Sequence, residues 1–508
     1  MTVPKPLTIR LHNSDNVVVA RVDIPAGTQI AEEQFTTRDP IAFGHKVAAA
    51  GIKEGAAVKK YGQIIGFAAK DIRPGEHVHT QNITMKAFDR DYAIGADAEL
   101  EPEYEAAPAT FQGILRADGR VATRNYIGII STVNCSASVT RFVADAFNGD
   151  ALADFPNVDG VVPICHGMGC ACSHNQEGFE ILLNILAGYI RNPNFGAIQV
   201  IGLGCEVMQI DTLFQRRDLQ AHALLQTMTI QGTGGTRKTV QQGIERVQAM
   251  LPVVDRVERT PVSADRLILG LQCGGSDAYS GITANPSLGA AVDLLVRHGG
   301  TAVLGETAEI YGAEHLLTRR AVSRAVGEKL IERIHWWENY TAQNNAEMDN
   351  NPSPGNKAGG LTTILEKSLG AVAKGGTTNL VDVLHYAHPI TGKGLMFMDT
   401  PGYDPVSLTG MVAGGANLIC FTTGRGSVYG CQPVPSIKLA TNTEMYNRMA
   451  DDMDINCGVT MDDSTTVAEM GRRIFSFILD VASGQKTKSE LNGIGADEFV
   501  PWNIGAVM

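Results

Sequence analysis

The spacing of apolar positions divides the chain into unlike stretches. Over residues 1–85, short alternating segments (16–22 and 63–68) lie between Gly and Pro turn signals. Residues 24–30, 52–58 and 72–78 share the pattern I-x-x-G-x-x-[IV], a turn glycine between two aliphatic anchors. That texture predicts a compact all-β module. The repeats are spaced unequally, by 28 and 20 residues, so they do not form a solenoid. Residues 86–112 lose apolar periodicity and carry Asp89, Asp91, Asp97, Glu99, Glu101, Glu103 and Glu105, the signature of an exposed acidic linker.

From Gly113 the pattern becomes apolar runs alternating with helical periodicity. Residues 126–132, 158–164, 197–203 and 267–271 predict buried strands, with helices over 178–190 and 239–250. A second series of strands is expected at 301–304, 379–384, 394–398 and 417–421, followed by a long helix over 465–482. Charged and Pro-containing sequence at 257–264 separates the two blocks. The expected fold class is α/β: a small N-terminal all-β domain, then two Rossmann-like parallel-sheet domains over 113–260 and 261–508.

Charge and composition narrow the function. The 42 Lys and Arg against 54 Asp and Glu give a net charge of −12, which argues against a nucleic-acid partner. No run reaches the ~18–20 apolar residues of a membrane span, and no apolar signal segment follows Met1, so a cytoplasmic protein is expected. Nine cysteines in a long chain suggest buried residues, metal ligands or reactive thiols rather than a disulfide framework. Cys135, Cys170, Cys205 and Cys273 each follow a predicted strand, in glycine-rich loops that also hold His166, Glu206 and Asp277. The carboxyl ends of parallel strands are where α/β sheets bind ligands, so these loops are candidates for one shared site. Thiolates and imidazole would suit iron or zinc, although the spacing matches no zinc ribbon, and an iron–sulfur cluster is an alternative.

Further candidates lie outside those loops. His12 and His45 stand beside turns in the β module, and His77 and His79 share one face of a strand. Lys357 in Asn351-Pro-Ser-Pro-Gly-Asn-Lys357, at a predicted helix start, and Arg425 in Thr-Gly-Arg425-Gly suit an anion, a carboxylate or a phosphate. The segment 232–239 resembles a P-loop but has Arg237 where glycine is needed, and no Gly-x-Ser-x-Gly occurs.

These motifs together resemble the altronate/galactarate dehydratase family over essentially the whole chain. The resemblance rests on His12-x-x-Asp15-Asn16, Gly44-His45-Lys46, Arg116-Ala-Asp118 through Thr123-Arg124-Asn125, His166-x-x-Gly-Cys170 and Gly202-Leu-Gly-Cys205-Glu206. It extends through Cys273-Gly-Gly-Ser-Asp277, Asn351 to Lys357, and Thr423-Gly-Arg425. Tyr311-Gly-Ala-Glu314, Lys357 to Thr363 and His77-Val-His79 look more like the altronate branch. The resemblance implies a β-clip (SAF-like) N-terminal domain and a hydro-lyase. Such an enzyme would convert D-altronate to 2-keto-3-deoxy-D-gluconate, with galactarate or a related hydroxy acid as the alternative substrate. It also implies dependence on Fe2+ or Mn2+, a small sugar-acid partner and a homo-oligomer. On this reading His166, Glu206 and Asp277 are the expected acid–base groups, and Arg124, Lys357 and Arg425 bind substrate. His12, His45, Cys135, Cys170, Cys205 and Cys273 are the expected metal ligands.

Overall fold

The computed structural model describes residues 5–86, 88, 90–99, 104–462 and 464–505. The N-terminal module is built of short antiparallel strands. One sheet runs Thr8–Ile9, Val17–Ala20, Lys46–Ala48, His77–Val78, and a second contains Ala57–Lys60, Gln63–Ala68 and Ile83–Thr84. The repeat glycines Gly27, Gly55 and Gly75 take φ of 81°, 79° and 85°, a region that side chains with a Cβ rarely enter. Their flanking anchors, including Ile24, Ile52, Val58, Ile72 and Val78, are buried and form the module's core.

Asp89, Glu101 and Glu103 of the acidic stretch lie outside the described residues. Its described part is laid along the C-terminal domain instead of standing free. Gly95 N–H donates to Thr318 O (3.0 Å), Asp97 pairs with Arg319 (2.6 Å), and Glu105 N–H donates to Arg297 O (2.8 Å). A strand, Thr110–Leu115, begins within the stretch and pairs antiparallel with Arg259–Ser263, so both ends of the middle domain are tied by one small sheet.

The middle domain is a four-stranded parallel sheet of β1 (Tyr126–Ser131), β2 (Gly160–Ile164), β3 (Phe195–Gly202) and β4 (Leu225–Thr229), in the order β2-β1-β3-β4. Helices α1 (Asn134–Asp145) and α2 (Glu177–Arg191) follow β1 and β2. The C-terminal domain holds seven parallel strands: β5 (Ile268–Cys273), β6 (Thr301–Leu304), β7 (Leu380–Leu384), β8 (Gly394–Met398), β9 (Leu418–Thr423), β10 (Ser436–Ala440) and β11 (Ile455–Asn456). Their order is β7-β8-β6-β5-β9-β10-β11. Helix α3 (Ala284–Arg297) follows β5, and α4 (Ile364–Val372) lies against the N-terminal module. Helix α5 (Asp404–Gly414) follows β8 and packs on α2, and α6 (Val467–Ala482) covers α3. The chain leaves β5 first toward β6 and later returns to β9 on β5's other side. The switch of direction therefore falls between β5 and β9, and loops diverge there into a crevice.

Candidate active site

At that crevice the N-terminal module docks on the C-terminal domain through buried charge. Lys46 and Lys60 both reach Glu366 of α4, at 2.8 and 2.9 Å, and Lys46 also donates to Gly360 O at 2.6 Å. Thr362 donates its N–H and hydroxyl to the same carboxylate. These cations hold the Glu366 carboxyl far below its usual range, despite complete burial. Gly360, with φ of 97°, lies so close to Gly44 that a Cβ would sit 2.7 Å from Gly44 O.

This docking places His45, next to Lys46, in a cluster with His77 and His79. The ligating atoms of all three lie within 4.8 Å of one another. His45 Nδ1 is 3.0 Å from His77 Nε2, and His45 Nε2 is 3.3 Å from Ala358 O at the end of the short helix Pro354–Ala358. Burial lowers all three imidazoles, His77 to about 4 and His79 to about 3, so they are neutral at physiological pH with lone pairs available. His79 Nδ1 is buried and has no hydrogen-bond partner among the described residues. Lys357 and Arg425 border the same segment: Gly359 abuts both Asp277 and the Arg425 side chain. Neither cation forms an ion pair among the described residues.

A second cluster lies at the carboxyl ends of β5, β6 and β8. Cys273 ends β5, and its Sγ accepts from Lys374 Nζ at 2.8 Å. It also lies 3.4 Å from Glu309 and 3.8 Å from Glu306. Lys367 binds Glu309 at 2.7 Å and Asn351 Oδ1 at 2.8 Å. Asp404 opens α5 and accepts from Gln272 at 3.0 Å. Burial and neighbouring Glu309 push the Glu306 carboxyl up to about 8 and that of Asp404 to about 6. Burial pushes the Cys273 thiol to about 12, and Lys374 is held protonated by Cys273 and Glu306. Glu306 has a left-handed backbone, φ 65°, and its Oε1 lacks a partner among the described residues. The segment 351–360 joins the two clusters, because Asn351 bonds Glu309 and Lys367 while Ala358 O meets His45.

The remaining residues singled out in the sequence lie elsewhere or are engaged. His12 is exposed, bonds Ser14 at 2.8 Å and is not in the three-histidine cluster. Arg124 lies just ahead of β1, at the edge opposite the crevice. It is completely buried in a bidentate pair with Glu490 (2.6 and 2.9 Å), with three further bonds to carbonyls. Asp277 is buried and accepts from Tyr279, Ser280, Thr441 and Asn442. In the middle domain, His166 Nδ1 accepts from Met168 N–H, so its Nε2–H is the donor to Ser131 O at 3.0 Å. Glu206 accepts from Thr132, Leu203 and Gly204. Around them the three loops are tied together by Asn134 N–H to Met168 O and Met208 N–H to Gly169 O, both 3.0 Å. Cys135, Cys170 and Cys205 are exposed on these loops, at the end of the four-stranded sheet, whereas Cys273 is buried in the other sheet.

Comparison with known proteins agrees with this architecture domain by domain. Residues 6–86 match the altronate/galactarate dehydratase SAF domain. Residues 113–255 match the second domain of D-galactarate dehydratase/altronate hydrolase, and 264–507 the D-galactarate/altronate dehydratase C-terminal domain. The galactarate dehydratase (L-threo-forming) of Escherichia coli K12 is 38% identical over 95% of this chain and 94% of its own. The chain belongs to the D-galactarate/altronate dehydratase family. The altronate dehydratases of Bacillus subtilis 168 and E. coli K12 are 34% and 35% identical, each over 95% of this chain and 96% and 97% of their own. The protein is thus an enzyme of the hydro-lyase class.

Sequence reasoning missed Glu306, Glu309, Lys367, Lys374 and Asp404 of this dehydratase. For Glu306 a signal existed: it follows the strand 301–304 by two residues, the same strand-end position that drew attention to the cysteines. Lys367 and Lys374 gave none, since a lysine on a helix ordinarily faces water.

Proposed function

We propose that the enzyme dehydrates a six-carbon sugar acid, D-altronate, to 2-keto-3-deoxy-D-gluconate and water at the carboxyl edge of the seven-stranded sheet. The observation that carries this reading is the meeting of His45, His77 and His79 with Ala358, Lys357 and Arg425 across two domains. The reaction removes a proton from C2 and hydroxide from C3, and the resulting enol tautomerises to the ketone, so no oxidant is needed. His77-Val-His79, which resembles the altronate branch, lies within the cluster. The 38% identity of the galactarate dehydratase favours galactarate as the second reading.

Three neutral imidazoles, one with a free buried Nδ1, fit a divalent iron or manganese ion. Such an ion would supply Lewis-acid stabilisation of charge on the substrate carboxylate and hydroxyl. Lys357 and Arg425 hold the carboxylate. Asp404, half-buried and ionised at neutral pH, takes the C2 proton, and Glu306, still protonated there, gives one to the departing hydroxide. With Glu306 neutral and Asp404 neutralised by the C2 proton, Lys367 and Lys374 outweigh Glu309 and favour negative charge building on the substrate. His166, Glu206 and Asp277 keep their loops in place. The three exposed thiols Cys135, Cys170 and Cys205 on mutually bonded loops favour a second iron placement, in an iron–sulfur cluster. No helix among the described residues is long and apolar enough to cross a membrane. The acidic charge balance and nine free cysteines fit work in the reducing cytoplasm.

The test is an anaerobic assay of Fe(II)-loaded protein on D-altronate and on galactarate, following 2-keto-3-deoxy acid. Turnover of altronate supports the proposal, and turnover of galactarate alone moves it to the second reading. Silence on both with iron bound removes the dehydratase reading. Acid-labile sulfide in the same sample would place iron at the three thiols.

A further inference from the structure

A second cavity, of about 400 Å³, lies between the middle and C-terminal domains at the opposite edge of the seven-stranded sheet. It touches Ile268 and Thr301, the first residues of β5 and β6, and Lys393, just before β8. Five residues of β5 at ~3.3 Å each put it roughly 17 Å from Cys273, at the far end of the strand. The middle domain contributes the last turns of α2, and the C-terminal domain contributes the loop 387–393 and the end of α5. The cavity is therefore an interdomain cleft with no part in the crevice described above.

Its charge is one-sided. Arg120, Arg191, Arg217, Arg266 and Lys393 line it, with no Asp or Glu in the lining among the described residues, in a chain of net charge −12. Three of these cations are paired with carboxylates outside the lining, Arg217 with Glu180 at 2.7 Å, Arg120 with Asp118, and Arg266 with Asp265 at 3.7 Å. The other two form no ion pair among the described residues: Arg191 and Lys393 donate to the backbone carbonyls of Arg217 and Asp265. The carboxyl ends of α2 and α5 also point here, but two helix ends amount to about one negative charge, too little to offset two cations. The floor is apolar, from Ile268, Ala387, Ile390 and Ala413. A cavity of this size with convergent cations above an apolar floor is a small-molecule site.

We infer that this cleft binds a small organic anion with two or more negative charges, a phosphate ester or a polycarboxylate, at a site separate from that of the dehydration. Guanidinium groups bind either group through paired N–H donors, and a ligand here would touch both domains at once.

The test uses calorimetric titration of the full-length, metal-loaded enzyme with glucose 6-phosphate and with tricarballylate, glucose serving as the uncharged control. The comparison is an R191Q/K393Q double variant, whose side chains are exposed and outside the catalytic crevice. Saturable binding of one probe by the native enzyme is expected, weakened at least about tenfold in the variant, as lost charge-assisted contacts imply. Which probe binds distinguishes phosphate from carboxylate. The variant's melting temperature and its turnover without probe should match the native enzyme's. Absence of saturable binding of either probe, or equal binding by native enzyme and variant, overturns the inference. Because binding is read directly, the result does not depend on which sugar acid is dehydrated.

Discussion

Glu306 joins a left-handed backbone to a fully buried carboxyl, one oxygen of which has no partner among the described residues. Its value in the folded chain, about 8, lies above the ordinary 4.5. Between those values the folded protein retains a proton that the unfolded chain has released, so this group's contribution to stability declines as pH rises through that window and is constant above it. Glu306→Gln should therefore melt with a flatter dependence on pH than the native enzyme between about 4.5 and 8. As the proposed acid, Glu306 also sets an alkaline limb: native turnover should fall as pH passes about 8. The Gln variant should retain about one hundredth of native activity or less, without that limb. A pH–rate profile of the two proteins decides it, and an unchanged alkaline limb in the variant removes Glu306 from the chemistry.

At the scale of elements, α4 connects the two halves of the crevice. Its adjacent residues point to different partners, Glu366 to the lysines of the N-terminal module and Lys367 to Glu309. In the sequence nothing marks Glu366 and Lys367 as buried, since charged residues on a helix ordinarily face water. In the fold every residue of Ile364–Val372 is buried, because the helix lies between the β module and the sheet. Removing the shared carboxylate with Glu366→Ala leaves two buried cations facing each other, which should cost about 3–5 kcal/mol. Thermal unfolding should show it as a large drop in melting temperature, whereas a surface pair such as Arg324–Glu328 should give almost none when broken. Gly360→Ala acts on the same joint by geometry, since a Cβ would press on Gly44 O and the φ of 97° disfavours it. We expect this variant to lose bound iron on gel filtration more readily than the native enzyme, with a melting temperature lowered by only a few degrees.

At the scale of the whole molecule, the local patterns were legible and the long-range juxtapositions were not. Period-two alternation and turn glycines defined the β module, and apolar runs located eight of the eleven parallel strands of the described residues. The strands β4, β10 and β11 escaped notice: Leu225–Thr229 carries Gln226, Thr227 and Thr229 and forms no apolar run. Ser436–Ala440 carries Lys438, whose amine is buried against Tyr429 O and Ser489, and Ile455–Asn456 is only two residues long. Strand ends drew attention to four cysteines, but nothing local reveals that three lie at one sheet and Cys273 at another. The pairing of His77 with His79 follows from strand geometry, while His45 lies 32 residues away in sequence and joins them only through the sheet of the β module. The buried lysines were illegible for a simpler reason: their carboxylate partners are distant in sequence, up to 320 residues for Lys46 and Glu366.

In the proposed mechanism the histidine cluster between the domains serves dehydration of a sugar acid. The most direct measurement is anaerobic turnover of D-altronate, with iron content, for the native enzyme and a His77→Ala/His79→Ala variant. The variant should stay folded, bind little iron and lose about 10²-fold or more in turnover. A variant that keeps native iron content and native turnover would contradict it.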